Sequence, residues 1–364
     1  MSASLHLTQA VSQRLESFAA ERREDVAGLG AEARGFVDAG LAALGGGKQL
    51  RARFLHAGWR AVAEARGPAP ELPDEVVAAA AALEIFHVAA LVHDDIIDSS
   101  DTRRGRPAAH RALEAWHRDA GWRGDGAGFG RSAGILLGDL LLGWSDDLLE
   151  DGLAAVDSAR ARATRLLYAR MRRDVTVGQF LDVAEESAWA TEADDRHAAR
   201  ALRVATFKSA RYSVQQPLLL GATLAGADPE QDAALSAFGE PLGLAFQLRD
   251  DVLGVFGDAA VTGKPAGDDL REGKRTVLIA LTRAALPAPG RRTVDELLGD
   301  PGLDDEQIGM LQRTIVDAGA LARIEEMIAD YVREADRALS GARLGNAAVS
   351  ELRDLARAAT TRSA

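Results

Sequence analysis

Asp94, Asp95 and Asp98 close an otherwise apolar run, Leu91-Val-His-Asp-Asp-Ile-Ile-Asp98, and Asp250 and Asp251 stand in a second, Phe246-Gln-Leu-Arg-Asp-Asp-Val-Leu-Gly254. On a helix, Asp94 and Asp98 share a face one turn apart, while Asp95 is rotated about 100° away. Two carboxylates so spaced suit a hard divalent cation, and magnesium bound by one or two carboxylates usually completes its shell with water and substrate phosphates. Arg103 and Arg104 follow the first cluster and supply planar, permanently charged forks that fit phosphate. Acid pairs on a helix are more often a solvated face. Here their neighbours Ile96, Ile97, Val252 and Leu253 are apolar, which a solvated face rarely carries. The chemistry indicated is a metal-bridged diphosphate. The two clusters, far apart in sequence, would allow two helices to face each other across one cavity.

The elements that must position these groups read as helices almost throughout. Ala, Leu, Arg and Glu dominate, aromatic residues are 5%, and no alternating β-branched run is sustained. Helices are expected from about Leu5 to Arg23, up to a stop at Gly45-Gly-Gly47, and from about Gln49 to Arg66. Another starts at Leu-Pro-Asp74 and carries the first aspartates. Its stretch Val76–Val92 is interrupted by Glu84 and His87, so it reads as a buried core helix and no membrane span is expected. Gly121–Gly130 reads as a flexible connection. The helical pattern runs from about Ala133 to Ala225 with a kink at Pro217, restarts at Asp228-Pro229, and is broken again over Gly257–Gly273. No composition shift marks a boundary, so one large all-α domain over residues 1–364 is the expectation.

Composition excludes several functions. A formal charge of −12 without a basic block argues against nucleic acid as a partner. With no cysteine there is no disulfide, thiolate zinc site or thiol nucleophile. An intracellular, cytoplasmic location fits, and the first residues show no secretory pattern. Gly45-Gly-Gly-Lys48 is not a Walker loop, because position 42 is alanine and Gln49 stands where Ser or Thr is required. His110, His117 and His197 have no metal-ligand spacing.

Asp94-Asp-Ile-Ile-Asp98 and Asp250-Asp-Val-Leu-Gly254 together resemble the paired motifs of the trans-isoprenyl diphosphate synthases, or polyprenyl synthetases. The resemblance continues through Gly46-Gly-Lys-Gln-Leu-Arg51, His87, Arg103-Arg-Gly105, Gly138-Asp139, Gly178-Gln179 and Lys208-Ser209. It extends to Thr262-Gly-Lys-Pro265 and Asp268-Asp-Leu-Arg-Glu-Gly-Lys-Arg-Thr276. It implies a single large helical bundle of the isoprenoid synthase type with a central active-site cavity. It also implies magnesium, about three ions per site, and a homodimer. The implied reaction ionises an allylic diphosphate and joins it to isopentenyl diphosphate. By match to the motifs, Asp94, Asp98 and Asp250 would bind magnesium, supported by Asp95 and Asp251. Arg103, Lys208 and Lys264 would hold the allylic diphosphate, assisted by Gln247 and by Ser209, which keeps the hydroxyl of the usual threonine. Lys48, Arg51, His87 and Arg104 would hold isopentenyl diphosphate. Asp269 and Lys274 lie in the segment that resembles the lid, with Lys274 counted among the substrate-binding groups.

Three departures and openings accompany the match. Gly254 stands where many members carry a third aspartate, which leaves that position without a carboxylate, and Ala52 replaces the proline common after Arg51. In the family the growing chain runs along the first-motif helix toward its N-terminus. Ala89 and Ala90 are small there, and Phe86, about 12 Å back from Asp94 at 1.5 Å per residue, could form the floor. Geranylgeranyl diphosphate is the expected product, with farnesyl or longer products as alternatives. A class I terpene cyclase needs only one diphosphate site, against which Lys48, Arg51 and His87 argue, and a non-catalytic partner subunit would not need so full a ligand set.

Overall fold

The computed structural model describes residues 3–45, 47–68, 71–103, 105–257 and 266–360. Gly46, Arg104 and Lys264, singled out above, and the segment Thr262-Gly-Lys-Pro265 lie outside them. The chain is all-α, its only sheet among the described residues being one two-stranded hairpin. It divides into two compact units, residues 1–56 with 70–162, and residues 57–69 with 163–364.

The first unit is built on helices α1 (Ala3–Asp25), α2 (Ala31–Ala43), the start of α3 (Leu50–Ala63), α4 (Asp74–Ile97), α5 (Ala109–Asp119) and α6 (Gly126–Leu153). Asp74 and Glu75 sit in the first turn of α4, where carboxylates complement the helix dipole. Helix α4 is long and apolar enough to cross a membrane by length and composition. Its Val76, Leu83, Ile85, Val88 and Val92 are instead buried, and it packs chiefly on α6 and α1.

Glycines let α4 and α6 approach closely. A Cβ on Gly152 would lie 2.5 Å from Ala78 Cβ, and one on Gly134 would lie 2.8 Å from Ile96 Cδ1. Buried Ser145 donates to the Ala82 carbonyl at 2.8 Å between them. Gly121 (φ 68°) and Gly124 (φ 105°) do form a turn. The glycines from Gly126 onward are helical, contrary to the flexible connection expected. Gly130 shows why: a Cβ there would press on Glu114 of α5, its Cβ at 2.9 Å, so this glycine serves packing rather than bending.

The second unit holds the rest of α3, α7 (Ser158–Ala188, from residue 163), α8 (His197–Val204), α9 (Gln216–Leu224) and α10 (Pro229–Phe256). They are followed by α11 (Asp268–Arg271), α12 (Val277–Ala285), α13 (Ala288–Leu297), α14 (Asp305–Asp317), α15 (Ala320–Ala338) and α16 (Asn346–Thr360). Its core gathers Leu248, Val252 and Val255 of α10 with Leu270, Leu278, Ile315, Ile324 and Ile328. Asp228 and Gln231 form a capping box at the start of α10, with Pro229 in the first turn where its missing N–H costs nothing. Between α8 and α9 the chain is π-helical over Ala205–Gln215. Pro217 sits in the first turn of α9, directly after this widened stretch. At this position its missing N–H falls at the junction between the π-helical and α-helical windings.

Candidate active site

Helix α4 brings the first acidic cluster to its C-terminus. Asp98 caps the helix, its N–H donating to the Asp94 carbonyl at 2.8 Å, so both carboxylates stand in the last turn, each partly exposed. The stop is a Schellman motif: Ser100 N–H reaches the Asp95 carbonyl (2.9 Å) and Ser99 N–H the Ile96 carbonyl (3.4 Å). Ser99 fills the left-handed position at φ 55°, where glycine is the unstrained choice.

Asp95 points inward and is 3% exposed. The hairpin Thr102–Arg103 with Arg106–Pro107 folds Arg103 back onto it, Nε donating to Oδ1 at 2.8 Å and Nη2 to the same oxygen. The same Nη2 lies 4.0 Å from Asp94 Oδ2. Burial raises the Asp95 pKa, and the Arg103 fork opposes that rise. Arg103, expected on the allylic diphosphate, is thus held by Asp95 beside Asp94.

His93 positions this helix end from the other side. Its Nε2 is 3.2 Å from the Ile135 carbonyl and 3.5 Å from Asp139 Oδ1, and a Cβ on Gly138 would collide with its ring. Gly138 and Asp139 thereby gain a structural account: one makes room for the residue before Asp94 and the other pairs with it. Sequence spacing singled out neither His93 nor this contact.

The second predicted diphosphate set begins at α3. Ala52 N–H donates to Glu84 Oε1 at 3.2 Å. This bond joins the first turn of α3, with Arg51, to α4 one turn before His87. A proline at position 52 would lack that donor, so Ala52 and Glu84 form a matched pair. Lys48 is exposed and follows Gly47 (φ 99°), with Gln49 also left-handed at φ 45°. Gln49 Nε2 is anchored to Ser12 Oγ at 3.3 Å.

In the second unit α10 carries the other acid pair, and the pattern repeats. Asp250 is partly exposed, whereas Asp251 is 6% exposed and accepts from Gln247 Nε2 at 2.7 Å. Burial pushes the Asp251 carboxyl up to about 7, opposed by the Gln247 bond and supported by Asp269 and Asp250. Each pair therefore has one partly exposed aspartate and one buried aspartate that accepts from a side-chain N–H. Gln247, expected beside the allylic diphosphate, serves as that tie.

Lys208 and Ser209 lie on the π-helical stretch. Lys208 Nζ reaches Asp182 Oδ2 of α7 at 2.5 Å. Gly178 permits the approach, since a Cβ there would lie 2.7 Å from Lys208 Cα. Asp182 escaped the sequence reading, because nothing at a separation of 26 positions from Lys208 marks the pair. Lys274 Nζ contacts Asp269 Oδ1 at 2.9 Å and Glu272 Oε2 at 2.7 Å. Although burial opposes its charge, these two carboxylates hold the Lys274 ammonium well above its ordinary pKa.

Phe86, Ala90 and Asp94 follow one another at four-residue steps on one face of α4. Phe86 is 3% exposed and Ala90 is partly exposed. Ala89 is different: it is completely buried and shares the α6-facing stripe with Ala82, His93 and Ile96. Among the described residues no three His, Asp or Glu side chains converge on one point as a metal site.

The comparisons with known proteins identify the chain as a trans-prenyltransferase. The chain belongs to the polyprenyl synthetase family, whose model matches residues 38–314. Its fold is similar to that of a geranylgeranyl pyrophosphate synthase from Corynebacterium glutamicum, solved with isoprenyl diphosphate and magnesium. That likeness has a TM-score of 0.91 at 38% identity and covers 98% of this chain and 99% of that one. The sequence is 30% identical over 311 residues to a geranylfarnesyl diphosphate synthase of Aeropyrum pernix, covering 85% of this chain and 88% of the relative. It is 36% identical over 241 residues to a geranylgeranyl diphosphate synthase of Mycobacterium tuberculosis, covering 66% and 60%.

Proposed function

We propose that the enzyme condenses isopentenyl diphosphate with an allylic diphosphate to give geranylgeranyl diphosphate. The observation that carries this reading is the split within both acid pairs. Asp94 and Asp98 in the first unit and Asp250 in the second are partly exposed, while Asp95 and Asp251 are buried and bonded to Arg103 and Gln247.

Asp94, Asp98 and Asp250 are the residues that would hold magnesium, and their oxygen-only chemistry suits that ion. When bound, it supplies positive charge to the departing diphosphate. Arg103 and Lys208, each fixed by an aspartate, present preorganised cations to the allylic diphosphate, with Ser209 beside Lys208 and Lys264 added from the family match. Lys48, Arg51, His87 and Arg104 bind isopentenyl diphosphate. Asp95 and Gln247 act through their partners, and Lys274 acts through Asp269. The apolar face of α4 behind Asp94 takes the growing chain, with Phe86 as its floor and Ala90 left small along the way. The similarity to the Corynebacterium glutamicum enzyme supports the geranylgeranyl length.

The protein acts in the cytoplasm as a homodimer on this reading. Exposed apolar residues on α6 (Ile135, Leu136) and on α7 (Leu166, Val177, Phe180) support self-association. Asp94→Ala tests the site: turnover with magnesium and both diphosphates should be abolished with the helical circular dichroism unchanged. Retained turnover would refute the assignment.

A further inference from the structure

Gly254 stands where a third aspartate would complete the second motif, yet the space its side chain would fill is not empty. All three atoms closest to a Cβ at this position belong to the Asp269 carboxyl group, and even the farther oxygen would lie only 2.9 Å away. Gly254 lies one turn beyond Asp250 on the same face of α10. The Asp269 carboxylate therefore sits where the motif's third carboxylate would be, but it is carried by α11.

Several contacts hold α11 there. Leu270, 1% exposed, belongs to the same core as Val252 and Val255 of α10. Gly299 N–H donates to the Leu270 carbonyl at 2.9 Å, and Gly267, at φ 75°, packs so closely on Ile308 that a Cβ would lie 2.7 Å from its Cγ2. Lys274 Nζ grips Asp269 Oδ1, and the Lys274 N–H donates to the Asp269 carbonyl at 3.1 Å. Asp269 is thus fixed from its backbone, from its carboxylate and from the neighbouring core residue.

We propose that Gly254 is a positioning residue: it leaves the notch in which Asp269 seats, so that the motif's missing carboxylate is supplied from α11. The functional side of this inference rests on the prenyl-transfer reading, whereas the interlock itself does not. Glycine is a poor residue for a helix, and alanine is the better helix former. An alanine Cβ at position 254 would press on the Asp269 carboxyl group that Lys274 holds.

The test is a thermal-unfolding cycle on the full chain without substrates, using Gly254→Ala, Asp269→Ala and the double variant. The interlock requires Gly254→Ala to lower Tm in the wild-type background and to raise it in the Asp269→Ala background. Equal shifts in both backgrounds, or a rise in both, would overturn it. If Gly254→Ala alone does not fold, a double variant that folds supports the interlock and one that does not overturns it. A second arm exchanges the carboxylate between the two sides of the notch with Gly254→Asp and Asp269→Gly. Each single variant should lose at least tenfold in kcat/KM, and the double variant should exceed both. A double variant no better than the worse single overturns the positioning role. Absence of prenyl transfer in the wild type would sink the functional reading and leave the unfolding cycle to decide the interlock.

Discussion

Gly138→Ala should destabilise the protein, and Gly143→Ala on the same helix should stabilise it. Both glycines lie inside α6, where replacing glycine with alanine gains about 0.5–1 kcal/mol in helix preference. Around Gly143 nothing lies within 4 Å of a new Cβ, so that gain should appear in full. At Gly138 the methyl group would collide with the His93 ring, with the ring's Cε1 at 2.6 Å, and overpacking of this kind costs about 1–3 kcal/mol. Subtracting the helix gain leaves a net loss of up to about 2.5 kcal/mol, or a few degrees in Tm at roughly 2–4 °C per kcal/mol. His93 precedes Asp94, so the displaced ring should also raise the magnesium concentration needed for half-maximal turnover. Differential scanning calorimetry of the two variants, followed by magnesium titration of activity, checks both parts. If Gly138→Ala proved as stable as Gly143→Ala, with unchanged magnesium dependence, the proposed link between α6 and Asp94 would be wrong.

Other outcomes follow from particular residues. Ala90→Phe should shorten the product by filling the face shared with Asp94, whereas Ala89→Phe should impair folding through overpacking against α6; product analysis and Tm separate the two. Asp95→Asn should lower stability by about 1–2 kcal/mol through loss of the charge-assisted bonds, a figure kept low because Arg103 is 27% exposed. It should also weaken allylic diphosphate binding more than magnesium binding, as direct titration would show. Ser99→Gly should raise stability by about 1 kcal/mol by relieving the left-handed conformation, measurable by urea denaturation. Asp194 receives bonds from Arg283 and Arg291, and these hold its pKa below the usual 3.8. Its stabilisation is therefore present above that value and lost as pH falls through the depressed folded-state pKa. The Tm difference between wild type and Asp194→Asn should be clear near neutrality and vanish in acid; a difference independent of pH would contradict the ion-pair account.

Part of the candidate site's geometry was readable because it is local. The Asp94–Asp98 spacing implies one helical face, and the 100° rotation sets Asp95 on another, which turns out to be the buried one. The same geometry separates Asp250 from Asp251. What escaped the sequence depends on partners distant along the chain. Gly126 and Gly130 read as a flexible connection because glycine is ambiguous between a turn and a close helix contact, and only the neighbouring α5 decides. Asp182 on Lys208, Glu84 on Ala52 and Asp269 on Gly254 are likewise invisible to spacing. The π-helical winding of 205–215 has no composition signal, and the hairpin that returns Arg103 to Asp95 is too short to show an alternating pattern.

The account stands most directly on the reaction of the purified full chain. It should be incubated with magnesium, isopentenyl diphosphate and, in turn, dimethylallyl, geranyl and farnesyl diphosphate, with products sized by mass spectrometry. Elongation of each primer to geranylgeranyl diphosphate is the predicted result. No elongation of any primer, or conversion of an allylic diphosphate to hydrocarbon or alcohol without isopentenyl diphosphate, would contradict it.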